Sequence, residues 1–144
     1  MRSLVLFAAA SISLSACNGN APTAPSEITS AKVLVQQLQS RGATATIAEE
    51  MPRQSNPFFS VNARRIVVNG ENATVFEYPD ASSLNADAAK VDPSGTPIGG
   101  TQITWIAPPR FYRSTRLLVI YAGTSGDVAA RFEAVLGRPF AGVR

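Results

Sequence analysis

The chain has 144 residues, with 13 Lys plus Arg against 10 Asp plus Glu, one cysteine and no histidine. That length suits one domain with a real core and no disulfides. A formal charge of +3 is not by itself a nucleic-acid footprint, and without histidine the commonest general base and metal ligand are missing.

Met1-Arg2-Ser3 is a short, positively charged start, and Leu4 to Leu14 is apolar or small throughout. These are the n-region and h-region of a secretory signal. The run is too short to span a bilayer, which takes about 20 apolar residues. Leu14-Ser15-Ala16-Cys17 then resembles the lipobox of bacterial lipoproteins. The resemblance implies a diacylglycerol group on Cys17, cleavage between Ala16 and Cys17, and an acylated new amine. Two or three acyl chains anchor stably where one is marginal. The alternative is an ordinary signal cut after Ala16, but a lone thiol in an oxidising envelope tends to mispair. Asn18 is not the aspartate that marks inner-membrane retention, so outer and cytoplasmic membranes both stay open. The expected division is residues 1–16 as signal peptide, 17–26 as lipidated cysteine and tether, and 27–144 as one domain. Asn18 to Ser26 is small, polar and Pro-containing, with nothing to bury.

A first helix is predicted from Ser26 or Thr29 to Arg41, with Ala31, Leu34, Val35 and Leu38 on one face and Gly42 as its cap. Ala43 to Ala48 reads as a strand, and Glu49 to Pro57 as a polar connection. Phe58 to Val61 looks buried or edge-strand. Arg64 to Val68 and Ala73 to Tyr78 flank Asn69-Gly70, a strong hairpin signal. A two-residue loop puts Ile66 and Val68 on the face of Val75; one residue more puts them on the face of Phe76 and Tyr78. Asp80 can cap a second helix, with Ala81, Leu84, Ala88 and Val91 inward and Ser82, Asp87 and Lys90 outward. A strand is predicted over Thr101 to Ala107, ended by Pro108-Pro109, then a loop over Arg110 to Thr115. Arg116 to Ala122 reads as a central strand covered on both faces. Thr124 or Ser125 caps a third helix, whose stripe is Val128, Phe132, Val135 and Leu136. Short links between strands predict a largely antiparallel sheet with helices packed on it, an α+β two-layer sandwich.

The stretch Trp105 to Arg116 carries the most chemistry. Arg110, Arg113, Arg116 and the nearby Arg131 could surround Phe111 and Tyr112. Arginine forks grip carboxylates and phosphates, and aromatic rings supply rigid contact area. This makes Trp105, Arg110, Phe111, Tyr112, Arg113 and Arg116 a candidate binding tip. The competing reading packs Phe111 and Tyr112 under the loop and leaves the arginines as solvated surface. Gly123 to Asp127 lacks a nucleophile-elbow spacing and a phosphate-loop lysine, so it reads as a helix cap. Asp92 to Gly95 lacks the alternating oxygen ligands of a calcium loop. No cofactor or metal is expected.

From Pro57 onward the chain resembles a group of small bacterial lipoproteins with no assigned activity. The likeness is carried by PFFSVNARRIVVNGENATVFEYPD, the alanine-rich helix after it, and IGGTQITWIAPPRFYRSTRLLVIYAG. The resemblance implies no substrate or catalytic residue; Arg110 stands where the group has a basic residue or histidine. Three functions are weighed. The first is a non-enzymatic envelope lipoprotein, held to a membrane by its lipid and binding a protein, glycan or anionic ligand, with no nucleic-acid partner. The second is an inhibitor or accessory subunit of a larger envelope enzyme or transporter. The third is an enzyme using Glu77, Asp80 and arginines, which requires carboxylates converging in one pocket.

Overall fold

A computed structural model describes residues 27–143. Residues 1–26, expected to hold the signal peptide, Ala16, Cys17 and the tether, lie outside the described residues. The hairpin sets the register of the sheet. Asn69 (φ 50°) and Gly70 (φ 84°) both take the left-handed conformation of a two-residue primed turn, so Val68 pairs with Glu71. Ile66 and Val68 therefore share a face with Val75, the first of the two registers considered, and Ala63 shares the other face with Phe76.

Around this hairpin, β2 (Ala63–Val68) and β3 (Glu71–Glu77), the chain adds β1 (Ala45–Met51), β4 (Pro109–Arg113), β5 (Leu117–Ala122) and the two-residue β6 (Ala141–Gly142). The six strands form one sheet in the order β1-β2-β3-β5-β4-β6, and every pairing is antiparallel. With three helices this is the expected α+β fold. β5 lies inside the sheet and is buried almost throughout, as its continuous apolar run predicts.

α1 (Ala31–Ser40) and α3 (Gly126–Leu136) cover one face. Ser30 caps α1 and Ser125 caps α3, each side chain accepting a backbone N–H of the first turn. Leu34, Leu38, Val128 and Phe132 pack there against Ile66, Val75, Val119 and Tyr121. α1 runs the length of the sheet. At its start the Ala31 N–H donates to Glu77 Oε1 (2.7 Å); beyond its end the Thr44 N–H donates to Asn69 Oδ1 (2.8 Å). The described chain thus enters at the Glu77 end, opposite the hairpin turn.

The other face carries its own core under α2 (Ala81–Ala88) and two irregular segments, 56–61 and 91–108. Asp80 caps α2 through the Ser83 N–H (2.7 Å). Phe59 meets Phe76 edge-on at 4.7 Å.

Three expectations are corrected. Strand β1 runs on through Glu49 and Glu50, with a register shift between Ile47 and Glu49; opposite Arg65 and Arg64, these residues form cross-strand ion pairs at 2.9 and 3.5 Å. Residues 101–107 form no strand, although Ile103 and Trp105 do alternate with exposed neighbours. The segment is instead tied down as cover: the Ile103 N–H donates to Thr96 Oγ1 (3.0 Å) and Trp105 Nε1 to the Gly95 carbonyl (3.1 Å). The strand comes later, at Pro109–Arg113, where proline is tolerated as the first strand residue. Gly95 (φ 90°) sits under that strand, and a Cβ there would lie 2.9 Å from Pro109 Cγ.

Candidate functional site

Because residues 110–113 are strand and not loop, their side chains alternate between faces. Tyr112 falls on the α1/α3 face with Arg110, and Phe111 on the opposite face with Arg113. Phe111 and Tyr112 are fully buried. Phe111 stands edge-on between Trp105 (5.7 Å) and Phe140 (6.1 Å). Tyr112 packs on Phe132 at 5.6 Å; burial, then the charge of Glu133, pushes its phenol up to about 12.

The arginines go separate ways. Arg110 donates to the Gly123 carbonyl (3.3 Å), Arg116 to the Pro79 carbonyl (3.2 Å), and Arg131 to Asp127 (2.9 Å) and the Arg41 carbonyl (3.1 Å). Arg113 lies over the Phe140 ring at 5.4 Å. The structure thus corrects the exposed arginine-aromatic tip: its rings are core, and its guanidinium groups do not converge. Of the expected site, Trp105 also lines an open cavity.

The carboxylates that share a pocket are Glu50 and Glu77, beside Arg64, in a cavity of about 400 Å³. Both are engaged. Glu50 accepts from Asn62 Nδ2 (3.0 Å) and pairs with Arg64, while Glu77 holds the first turn of α1. Asp80 is occupied as the α2 cap, and hydrogen bonds from Ser83 hold its carboxyl below the usual range. Among the described residues no group of three or more His, Cys, Asp or Glu could hold a metal.

A different site is present on the face of α2, toward the hairpin end. Two irregular segments leave part of the sheet between them, and the gap is a cleft of about 300 Å³. Its floor is Asn72 and Thr74 of β3 with Ile120 and Ala122 of β5. Phe58 and Phe59 stand on one side, Ile103 and Trp105 on the other, and no charged side chain lines it. Ile106, on the rim, is 99% exposed. Asn56 adds a covered side-chain oxygen that no protein group bonds.

One wall of the cleft is fixed from behind by a buried carboxylate. Asp87 is 2% exposed, although the helix pattern predicts it outward. Its Oδ2 accepts from the Ser60 N–H (2.6 Å), Ser60 Oγ (2.7 Å) and Tyr78 OH (3.1 Å), and its Oδ1 from Lys90 Nζ (2.6 Å). Lys90 also reaches the Phe58 carbonyl at 3.4 Å. Burial works against the charge on Asp87, but hydrogen bonds from Lys90, Ser60 and Tyr78 outweigh it and hold the carboxyl below its ordinary value. Burial, then the neighbouring Asp87, pushes the Tyr78 phenol up. The sequence signal for this hub is thin: Asp87 lies three residues from Leu84 and beside Ala88, at the edge of the apolar stripe.

No known protein family, curated protein or solved structure matches this chain.

Proposed function

We propose that this protein is a lipid-anchored lipoprotein of the bacterial envelope whose folded domain works by binding, not by catalysis, through the cleft beside Trp105 and Ile106. The observation that carries the binding site is a preformed apolar cleft with an exposed isoleucine on its rim. Sites of this kind are concave, mostly apolar and equipped with a few polar groups, here Asn72 and Thr74. An isoleucine with its whole side chain in water has no packing role in the domain. The lipobox-like Leu14-Ser15-Ala16-Cys17 supports the anchor and the compartment.

Photo-crosslinking from position 106 in cells, on the full-length lipoprotein, tests the site. A discrete adduct that disappears when position 106 is moved to an exposed residue of α2 is the expected result. No adduct from a folded, lipidated protein would refute the cleft as a binding surface.

A further inference from the structure

Resting on that reading of a binding domain, we propose that the cleft takes a long-chain carboxylate, with the alkyl chain beside Trp105 and Ile106 and the carboxylate at Lys90 and Arg53. Two residues of the cleft, Phe58 and Ile98, also line a second cavity of about 460 Å³, which has Lys90, Gly99 and Thr101 on it. Pro57 belongs to that cavity and to the one after it, where it stands beside Arg53 and Gln54. The three adjoin along the irregular cover of the sheet, from Trp105 at one end to Arg53 at the other. The first two fall within the size range of small-molecule sites, about 300–1,000 Å³.

Polarity changes along this path. At the Trp105 end Phe58, Phe59, Ile103 and Trp105 form the walls, and no charged side chain lines the cleft. Methylene groups gain there by leaving water, whereas a charged group would lose water without a partner. Farther along, the charged side chains are Lys90 and Arg53, both cations, and among the described residues no Asp or Glu lines any of the three cavities. Lys90 Nζ donates to Asp87 Oδ1 (2.6 Å) and reaches the Phe58 carbonyl (3.4 Å), yet its side chain is 44% exposed. An ammonium has three donors, so one is left for a ligand. Only the main chain of Arg53 is engaged, by Asn62 and Asn56; among the described residues no protein group bonds its guanidinium. Charge then selects the head group. Asp87 answers Lys90, so Arg53 supplies the net charge, a single positive one. One carboxylate matches it, while a phosphate monoester brings about −1.5 to −2 at pH 7.

Trp105 is the chain's one tryptophan and stands at the apolar end, so a bromine on the ligand reports which end of the ligand lies there. The mature, lipidated protein is reconstituted in phosphatidylethanolamine–phosphatidylglycerol vesicles and titrated with 12-bromododecanoate, and separately with 2-bromododecanoate. We expect saturable quenching by the 12-bromo isomer and much weaker quenching by the 2-bromo isomer, whose bromine stays with the head group. Unbrominated dodecanoate should displace the quencher. Decanoate should do so about tenfold less well, for two methylenes lost, and dodecanol about fivefold less well, for the lost charge. Arg53→Glu, at an exposed position, should erase the preference for dodecanoate over dodecanol and leave Tm unchanged. Equal quenching by the two isomers, an intact preference in Arg53→Glu, or tighter binding of dodecyl phosphate would overturn the assignment. Quenching by brominated phospholipid chains with no ligand added would make the bilayer the occupant and overturn it too. So does the absence of any response; if the adduct from position 106 still forms in cells, the binding domain stands and only the carboxylate assignment falls.

Discussion

Asp87→Ala is the substitution that most directly tests how the cleft is held. Removing the carboxylate leaves the Tyr78 hydroxyl buried with no acceptor, a cost of about 1–3 kcal/mol. The two bonds from Ser60 add less than their geometry suggests, because Ser60 is exposed and regains water. Lys90 adds little for the same reason: its side chain is 44% exposed, and exposed ion pairs contribute about 0–1 kcal/mol. The sum is about 3 kcal/mol, or a fall in Tm of about 10–15 °C for a domain of this size. Thermal unfolding followed by circular dichroism measures it, and a cycle with Tyr78→Phe isolates the shared bond. In the Asp87→Ala background Tyr78→Phe should be milder by about 1 kcal/mol or more, since the hydroxyl is already orphaned. The folded-state value of Asp87 lies below its unfolded one, so its contribution is present above about pH 4 and is lost as pH falls through the folded value. The wild type should lose that stability in acid and the variant should not. A loss under about 0.5 kcal/mol, or strictly additive substitutions, would refute the hub.

Two further outcomes are expected. Cys17→Ser should move the protein from the membrane to the soluble fraction and abolish labelling with palmitate; membrane retention without label would defeat the anchor. Phe111→Ala should cost about 3–5 kcal/mol in unfolding experiments, whereas Arg113→Ala, on the same strand but exposed, should cost under about 1 kcal/mol; similar costs would contradict the strand assignment of residues 109–113.

Elements whose signal is local could be read from the sequence. Ser30-capped α1 has its Ala31, Leu34, Val35 and Leu38 face buried as spaced, and Asn69-Gly70 makes the two-residue turn. The Arg116–Ala122 run becomes an interior strand because only a strand covered on both faces can hide consecutive apolar residues. Failure came where two segments competed for one role. Residues 101–107 have the alternation of a strand and 109–113 begin with a proline, yet the second pairs with β5. The choice is made by tertiary contacts that periodicity does not contain: Trp105 bonded to Gly95, and Ile103 to Thr96. Shifting the strand eight residues along the chain turned the proposed tip into core. Asp87 was missed for a related reason. A single carboxylate beside an apolar stripe reads as surface until Ser60 and Tyr78, 27 and 9 residues away, are brought to it.

The same competition explains where an open site is left. On the α1/α3 face regular strands and helices pack side chain against side chain, and α2 covers part of the other face. At the hairpin end the cover is irregular chain. Such cover must be fixed by specific bonds, because it has no ladder of its own. Asp87 fixes Ser60 behind Phe58 and Phe59; Gly95 and Thr96 fix Trp105 and Ile103. Both walls are thus pinned at the base, while the main chain from Thr104 to Ala107 stays unpaired at the rim. A cleft built this way needs little rearrangement to receive a ligand, so less of the interaction energy goes into ordering the protein. Loosening either pin should weaken binding at the cleft even where the fold survives, which makes Asp87 a positioning residue for the cleft as well as a stabiliser of the domain.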